Sequence, residues 1–200
     1  NKSNRRLPAG ILRLVPRRLC DRATHGSVRR CHCILSKTSL AAVERFDCGN
    51  SAWATTINHW IKSEDALQRV RKKNTKIWLY HNQSSELIGY GSLGITKWPI
   101  FSIESRKPVL ILPNLGVQRG NQRQGYGKQI CTHLIEESQK LYLEGRSQGK
   151  TLLPFLGLLV HPDNTDAIGL YKSVGFSTYD HYFEEDSVRY IGMAKLLDYA

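Results

Sequence analysis

Two short segments of the chain hold residue types that could do chemistry together. In the first, Gln122-Arg-Gln-Gly125-Tyr-Gly127-Lys128, glycines stand among hydrogen-bond donors. Gly125 and Gly127 have no Cβ, so the backbone can turn tightly there and bring its N–H groups close to a ligand. If a helix starts at this point, those N–H groups form an anion site. Gln122, Arg123 and Lys128 would add side-chain donors, with Gln124 and Tyr126 between them. The expected ligand is a diphosphate, and the plainer alternative is an ordinary αβ turn. In the second segment, Asn164 and Tyr171 flank Thr-Asp-Ala-Ile-Gly-Leu. A tyrosine, with a reference pKa of about 10, is protonated at neutral pH and can give its proton to a leaving group. Tyr171 equally suits a core aromatic. Asn164 suits a helix N-cap or a ligand contact, and the two roles are compatible.

The glycine pattern departs from two nucleotide loops. A dinucleotide fold calls for a third glycine and an acidic residue about twenty positions on, whereas here the chain runs on to Glu136 and Glu137 without that glycine. A P-loop needs Ser or Thr after Gly-Lys, and Lys128 is followed by Gln129.

These residues need elements to hold them. Residues 109–117 are short and apolar and read as one buried strand. A helix follows Gly127, with Ile130, Leu134 and Leu141 on one face. Residues 152–160 read as a second buried strand. His161-Pro-Asp-Asn164 stops that strand and caps a helix from about Thr165, which has Ala167, Leu170, Tyr171 and Val174 along one face and ends at Gly175. Upstream, residues 31–35 suit a first strand. Asn50-Ser51 caps a helical pattern through Trp53, Ile57, Trp60 and Ile61 that continues past Ser63 toward Val70. Residues 76–80 and 86–93 flank a hairpin loop. Residues 96–107 form a linker suited to a substrate-site loop, and residues 176–183 and 189–196 form a closing hairpin. No repeat and no second domain is evident.

The order of strand, Gln-x-x-Gly-x-Gly loop, helix, strand, Asn164, then Ala167-x-x-Leu170-Tyr171-x-x-x-Gly175-Phe176 resembles the GNAT superfamily of acetyl-CoA-dependent N-acetyltransferases. The resemblance covers roughly residues 30–200. It implies an α/β (α+β) fold: a mixed, mostly antiparallel central sheet of about six to seven strands, flanked by about four helices, with a splay between the strands at 109–117 and 152–160. It also implies acetyl-CoA as cosubstrate and no metal. Gln122 to Lys128 would hold the coenzyme diphosphate. Leu115, Gly116 and Val117 would offer backbone groups to the pantetheine arm and acyl carbonyl. Asn164 would contact the cofactor, and Tyr171 would be the general acid that protonates the leaving thiolate. Arg123 departs from the many relatives that have glycine there.

The chemistry asks for the same types. Moving an acetyl group from a thioester to an amine needs a neutral nucleophile, a stabilised oxyanion and a proton for the departing sulfur. A strand N–H near Val117 can stabilise the oxyanion. For a general base, His161, Asp163, Glu104 and His81 are all of suitable type, and nothing in their spacing selects one.

Within the superfamily, Phe46-Asp-Cys-Gly-Asn50 followed by Ile57-Asn58-x-Trp60-Ile61 resembles the start of the toxin acetyltransferases of type II toxin–antitoxin pairs, which acetylate aminoacyl-tRNA. The likeness continues in Gly89-Tyr-Gly-Ser-Leu93. It departs at Asn114-Leu-Gly-Val117, where those toxins usually show Arg-Leu-Ala-Val. The acceptor is therefore expected to be an amine. The partners this resemblance raises are tRNA and an antitoxin protein; a homodimer is a separate expectation.

Composition bounds the rest. The chain has 200 residues, 40% of them apolar, enough for one domain, and no apolar run nears the ~20 residues of a membrane span. The expectation is a cytoplasmic protein with no membrane partner. The formal charge of +12 is uneven, since residues 1–29 hold eight Lys/Arg against one Asp. That stretch reads as a disordered basic arm or leader, ahead of a GNAT domain at 30–200, and a third reading makes it the working part of a non-catalytic nucleic-acid-binding protein. Cys20, His25, Cys31, His32 and Cys33 fit no usual zinc spacing. Cys48 and Cys131 are scattered, which points to reduced thiols rather than disulfides.

Overall fold

The computed structural model describes residues 40–72, 75–82, 84–97, 107–185 and 188–197. The strand expected at 31–35, the basic arm, the early cysteines and histidines, Glu104 and most of the 96–107 linker lie outside the described residues. In chain order the elements are α1 (Leu40–Glu44), α2 (Ala52–Lys62), α3 (Glu64–Arg71), β1 (Thr75–His81), β2 (Leu87–Thr96), β3 (Val109–Ile111) and β4 (Leu115–Val117). A 3-10 turn (Arg119–Asn121), α4 (Tyr126–Ser147), β5 (Phe155–Val160), α5 (Thr165–Ser173), β6 (Ser177–Glu185) and β7 (Val188–Leu196) follow.

The strands form one mixed sheet in the order β1-β2-β3-β5-β7-β6, with β4 paired to β2. Every pairing is antiparallel except β3 with β5. Alternation along β1 shows that the sheet is covered on both faces. Trp78 and Tyr80 join the core under α4 and α5, whereas Ile77 and Leu79 join the core with Phe46 and Ile61 on the side of α1, α2 and α3. Helix α4 lies close against β2 because Gly89 and Gly91 leave room for it. A Cβ there would stand 2.7 Å from Ile130 Cδ1 and 2.5 Å from Leu134 Cδ1 respectively. Among the described residues, no helix is long and apolar enough to cross a membrane.

The helical pattern that continues past Ser63 runs as two helices, because Ser63 is extended at φ −79°, ψ 153°; its hydroxyl donates to Trp60 O and accepts from Ala66 N. Two sequence expectations change in detail. Residues 152 and 153 are not strand, and β5 starts after Pro154. The single strand expected at 109–117 is two. Gly94 faces Ile111, but Gly91, three residues back along β2, faces Leu115, four residues on. One extra residue is therefore inserted around Pro113, which has no N–H to give to a ladder.

That insertion opens the sheet. β3 pairs with β5 at Leu110↔Leu156 and Ile111↔Gly157, and Leu112 N donates to Gly157 O at 2.9 Å. Beyond this point β4 stays with β2, while Leu158 to Val160 stay with β7. The expected splay lies between β4 and β5.

Candidate active site

A cleft of about 600 Å³ lies where β4 and β5 part, within the range of small-molecule sites. Leu115, Gly116 and Val117 line it from the strand. Gly125, Gly127 and Lys128 line it from the start of α4, and Asn164 to Ala167 with Leu170 from α5. The opposite wall is residues 48–51 with Trp53 and Ile57.

The alternating bonds of an antiparallel ladder decide which backbone groups face this space. Gln118 N donates to Ile88 O at 2.8 Å and Ser92 N to Asn114 O at 2.9 Å. Residues 114, 116 and 118 therefore turn their polar groups toward β2. Leu115 and Val117 turn theirs away from it, into the opening that β5 has left. Val117 O accepts from Gln122 Nε2 at 3.0 Å.

At the start of α4, Gly125 is the N-cap at φ 83°, and no side chain caps the helix. The first intrahelical bond of this end is Gln129 N to Gly125 O at 3.2 Å. The N–H groups of Tyr126, Gly127 and Lys128 precede it and have no partner within the helix. A Cβ on Gly125 would meet nothing within 4 Å, so the loop presents bare backbone to open space. With Lys128 alongside, this arrangement fits a diphosphate.

The other residues of the loop take roles the sequence did not indicate. Gln122 spends its amide on protein carbonyls, donating to Cys48 O at 2.7 Å as well as to Val117 O. Arg123 sits in the left-handed region at φ 60°, which explains why glycine suits this position. Its Nη2 donates to Asp166 Oδ2 at 2.7 Å, and both side chains are exposed. Gln124 donates to Gly120 O and Tyr126 packs against the core, so neither side chain turns into the cleft. Asn164 does line it, and its Oδ1 also accepts from Ala167 N at 3.2 Å as N-cap of α5.

Tyr171 is not a cleft-lining residue. It is buried in the core beneath α4 and α5, with its ring 5.6 Å from that of Phe176. Burial, with the Cys131 thiol nearby, pushes its pKa well above the usual tyrosine value. Both immediate helical neighbours toward the cleft, Ala167 and Leu170, do line it.

Of the base candidates, Asp163 lines the cleft and His81 does not. His161 stands at the end of β5, 5.0 Å from the ring of Trp53 and 6.1 Å from that of Tyr190. Its Nδ1 accepts from Asp163 N at 3.2 Å, which leaves the proton of neutral His161 on Nε2.

The wall of residues 46–50 is the part that spacing could not reveal. Asn58 on α2 donates to Asp47 Oδ1 at 3.1 Å and to Gly49 O at 2.9 Å, and accepts from Cys48 N at 2.8 Å. Asp47 N donates to Gln118 Oε1. The Gly49 N–H, bonded to the Asp47 carboxylate, holds its pKa below the usual value. Burial pushes the Cys48 thiol up to about 11. Only the likeness of Phe46 to Asn58 to a family pattern pointed here.

Comparison with known proteins agrees with this architecture. A sequence model described as the acetyltransferase (GNAT) family matches residues 45–176. No curated protein matches. Among solved structures, AtaTR bound with AcCoA is 21% identical over 82% of this chain and 90% of that one, with a TM-score of 0.59. The ribosomal-protein-S18-alanine N-acetyltransferase from Escherichia coli is 22% identical over 84% and 94%, at 0.55. The spermidine/spermine N-acetyltransferase SpeG from Vibrio cholerae is 14% identical over 86% and 92%, also at 0.55. At these identities the likeness is one of fold.

Proposed function

This chain belongs to the acetyltransferase (GNAT) family, and we propose that it moves the acetyl group of acetyl-CoA to a primary amine by direct attack through a tetrahedral intermediate. The observation that carries this reading is the parting of β4 and β5 directly beside the uncapped start of α4. When bound, the cosubstrate supplies an activated thioester. The N–H groups of Tyr126, Gly127 and Lys128, with the Lys128 and Arg123 side chains, hold its diphosphate. Leu115 and Val117 offer their backbone groups to the pantetheine arm, and the Val117 N–H stabilises the oxyanion. Asn164 contacts the cofactor while capping α5. Tyr171 is assigned as the general acid for the departing sulfur, a role that requires its buried hydroxyl to turn toward the cleft beside Ala167 and Leu170, and its raised pKa keeps it in the protonated form. No side chain is assigned as base. The amine loses its proton to water in the cleft.

A second reading makes the acceptor aminoacyl-tRNA and the chain a toxin with an antitoxin partner. It is favoured by the toxin-like residues Asp47, Cys48, Gly49 and Asn58 being joined in one hydrogen-bond net at the cleft wall. Family membership favours catalysis over a non-catalytic nucleic-acid binder acting through its arm. A cytoplasmic location and a homodimer belong to the same proposal.

Thiol release from acetyl-CoA, measured against aminoacyl-tRNA, polyamines, amino acids and a peptide amine with Tyr171→Phe alongside, tests it. Turnover on a small or peptide amine supports the first reading, and turnover on charged tRNA alone selects the second. No turnover and no coenzyme binding would overturn both.

A further inference from the structure

Glycine-loop residues of a diphosphate site are expected to spend their donors on the ligand, yet Gln122 does not. Its single amide nitrogen reaches Val117 O at 3.0 Å on one side and Cys48 O at 2.7 Å on the other. Val117 belongs to the strand that faces the cosubstrate, and Cys48 to the opposite wall of the cleft. Val117 packs on the core under α4 and α5 and Cys48 on the core beside α1, α2 and α3, so the two belong to different faces of the sheet. Gly116 marks one side, where a Cβ would press on Ile57 Cγ2 at 2.9 Å and Phe46 Cζ at 3.0 Å. Gly127 of α4 marks the other, next to Val117 Cγ2. With the diphosphate placed at α4, the wall of residues 47–50 is left for the acceptor.

That wall has no secondary structure of its own, so its shape depends on what grips it. Asn58 grips it from α2 through Asp47, Cys48 and Gly49. Gln118, Arg119 and Gln122 grip it from the loop that leads into α4, and Gln122 also holds Val117 of β4. We propose that Gln122 is a positioning residue that couples the two halves of the cleft, so that filling the diphosphate loop fixes the acceptor wall. The inference rests on the acetyl-transfer reading. It deepens that reading by assigning Gln122 to the acceptor side, with Asn58 as the fixed anchor against which it works. The carboxamide is the required group, since two carbonyl acceptors need an N–H donor.

Hydrogen exchange at the Asp47, Cys48 and Gly49 amides, with and without acetyl-CoA, reads the coupling without knowledge of the acceptor. In the wild type, acetyl-CoA is expected to slow exchange at these amides by about tenfold, within the usual range of coupling between sites. In Gln122→Ala and in the isosteric Gln122→Glu the slowing is expected to vanish. Acetyl-CoA affinity of Gln122→Ala by calorimetry should then stay within about twofold, an allowance small against that range, whereas the new carboxylate of Gln122→Glu weakens binding by charge alone. Two results would overturn the proposal: exchange at the wall that ignores acetyl-CoA in the wild type, or a Gln122→Ala variant that loses coenzyme affinity while keeping the slowing. The second of these would make Gln122 a phosphate ligand. Failure of acetyl-CoA to bind the wild type at all would instead overturn the acetyl-transfer reading beneath it.

Discussion

Arg123 and Asp166, 43 residues apart in sequence, meet at 2.7 Å across the mouth of the cleft. One sits on the loop before α4 and the other in the first turn of α5, so the pair joins the two helix starts that flank the opening. An anion arriving at α4 finds the Arg123 guanidinium already engaged and a carboxylate beside it.

Asp166→Asn removes that carboxylate and is expected to tighten acetyl-CoA binding by about two- to fivefold, the scale of an exposed ion pair. The gain should shrink between low and high salt because both groups are exposed. Calorimetry at two salt concentrations checks this. Weaker binding in the variant would mean that Asp166 holds Arg123 in place for the ligand.

Gly125→Arg puts a long side chain where a Cβ meets open space at the helix start. Its left-handed backbone at φ 83° costs a non-glycine residue about 1–2 kcal/mol. A thermal melt should fall by several degrees with the fold retained, while acetyl-CoA binding is lost. Gly120→Ala, also in open space, serves as the harmless control. Unchanged coenzyme affinity in Gly125→Arg would remove the loop from the site.

Tyr171→Phe is expected to lower turnover by roughly ten- to ten-thousand-fold with little change in coenzyme affinity, as for a general acid. The raised pKa sets the sign of the pH dependence. The active form is the protonated one, and a pKa moved upward keeps that form populated as pH rises. No alkaline fall in kcat below about pH 10, the unperturbed tyrosine value, should therefore belong to this residue. A full-rate phenylalanine variant would reduce Tyr171 to packing in the core where its ring lies.

Gly116→Ala places a methyl 2.9 Å from Ile57 Cγ2 and 3.0 Å from Phe46 Cζ. Overpacking of this kind costs about 1–3 kcal/mol, which is about 2–12 °C of melting temperature for a chain of this size. A melt unaffected by the change would show that α2 can yield, and that the close approach of α2 to β4 is not what holds the wall.

Strands β1, β2, β5, β6 and β7, the helix after the glycine loop and the cap at Asn164 were legible in the sequence because each is a local pattern of apolar period and turn chemistry. Pro113 was legible too, but as one residue in an apolar run rather than as the insertion that shifts the pairing from Gly94↔Ile111 to Gly91↔Leu115. Helical spacing put Tyr171 on a buried face without saying whether its ring enters the cleft or the core. The grip on Asp47 comes from residues 11, 71 and 72 positions away. Such contacts depend on how elements pack, and no periodicity encodes them. Gln122 was read by its type, as a donor, and its acceptors were set by the fold.

The place where β4 turns away from β5 has a consequence for how the protein keeps itself to itself. A strand with unpaired backbone groups is a template for any other strand, and at the rim of a sheet it invites aggregation. Here a stretch of such edge is made in the middle of the sheet, inside a cleft bounded by the starts of α4 and α5 and by residues 48–51. It is therefore set back from the rim, where a neighbouring chain would most easily add a strand. The same one-residue insertion thus creates a sticky edge and keeps it from the rim.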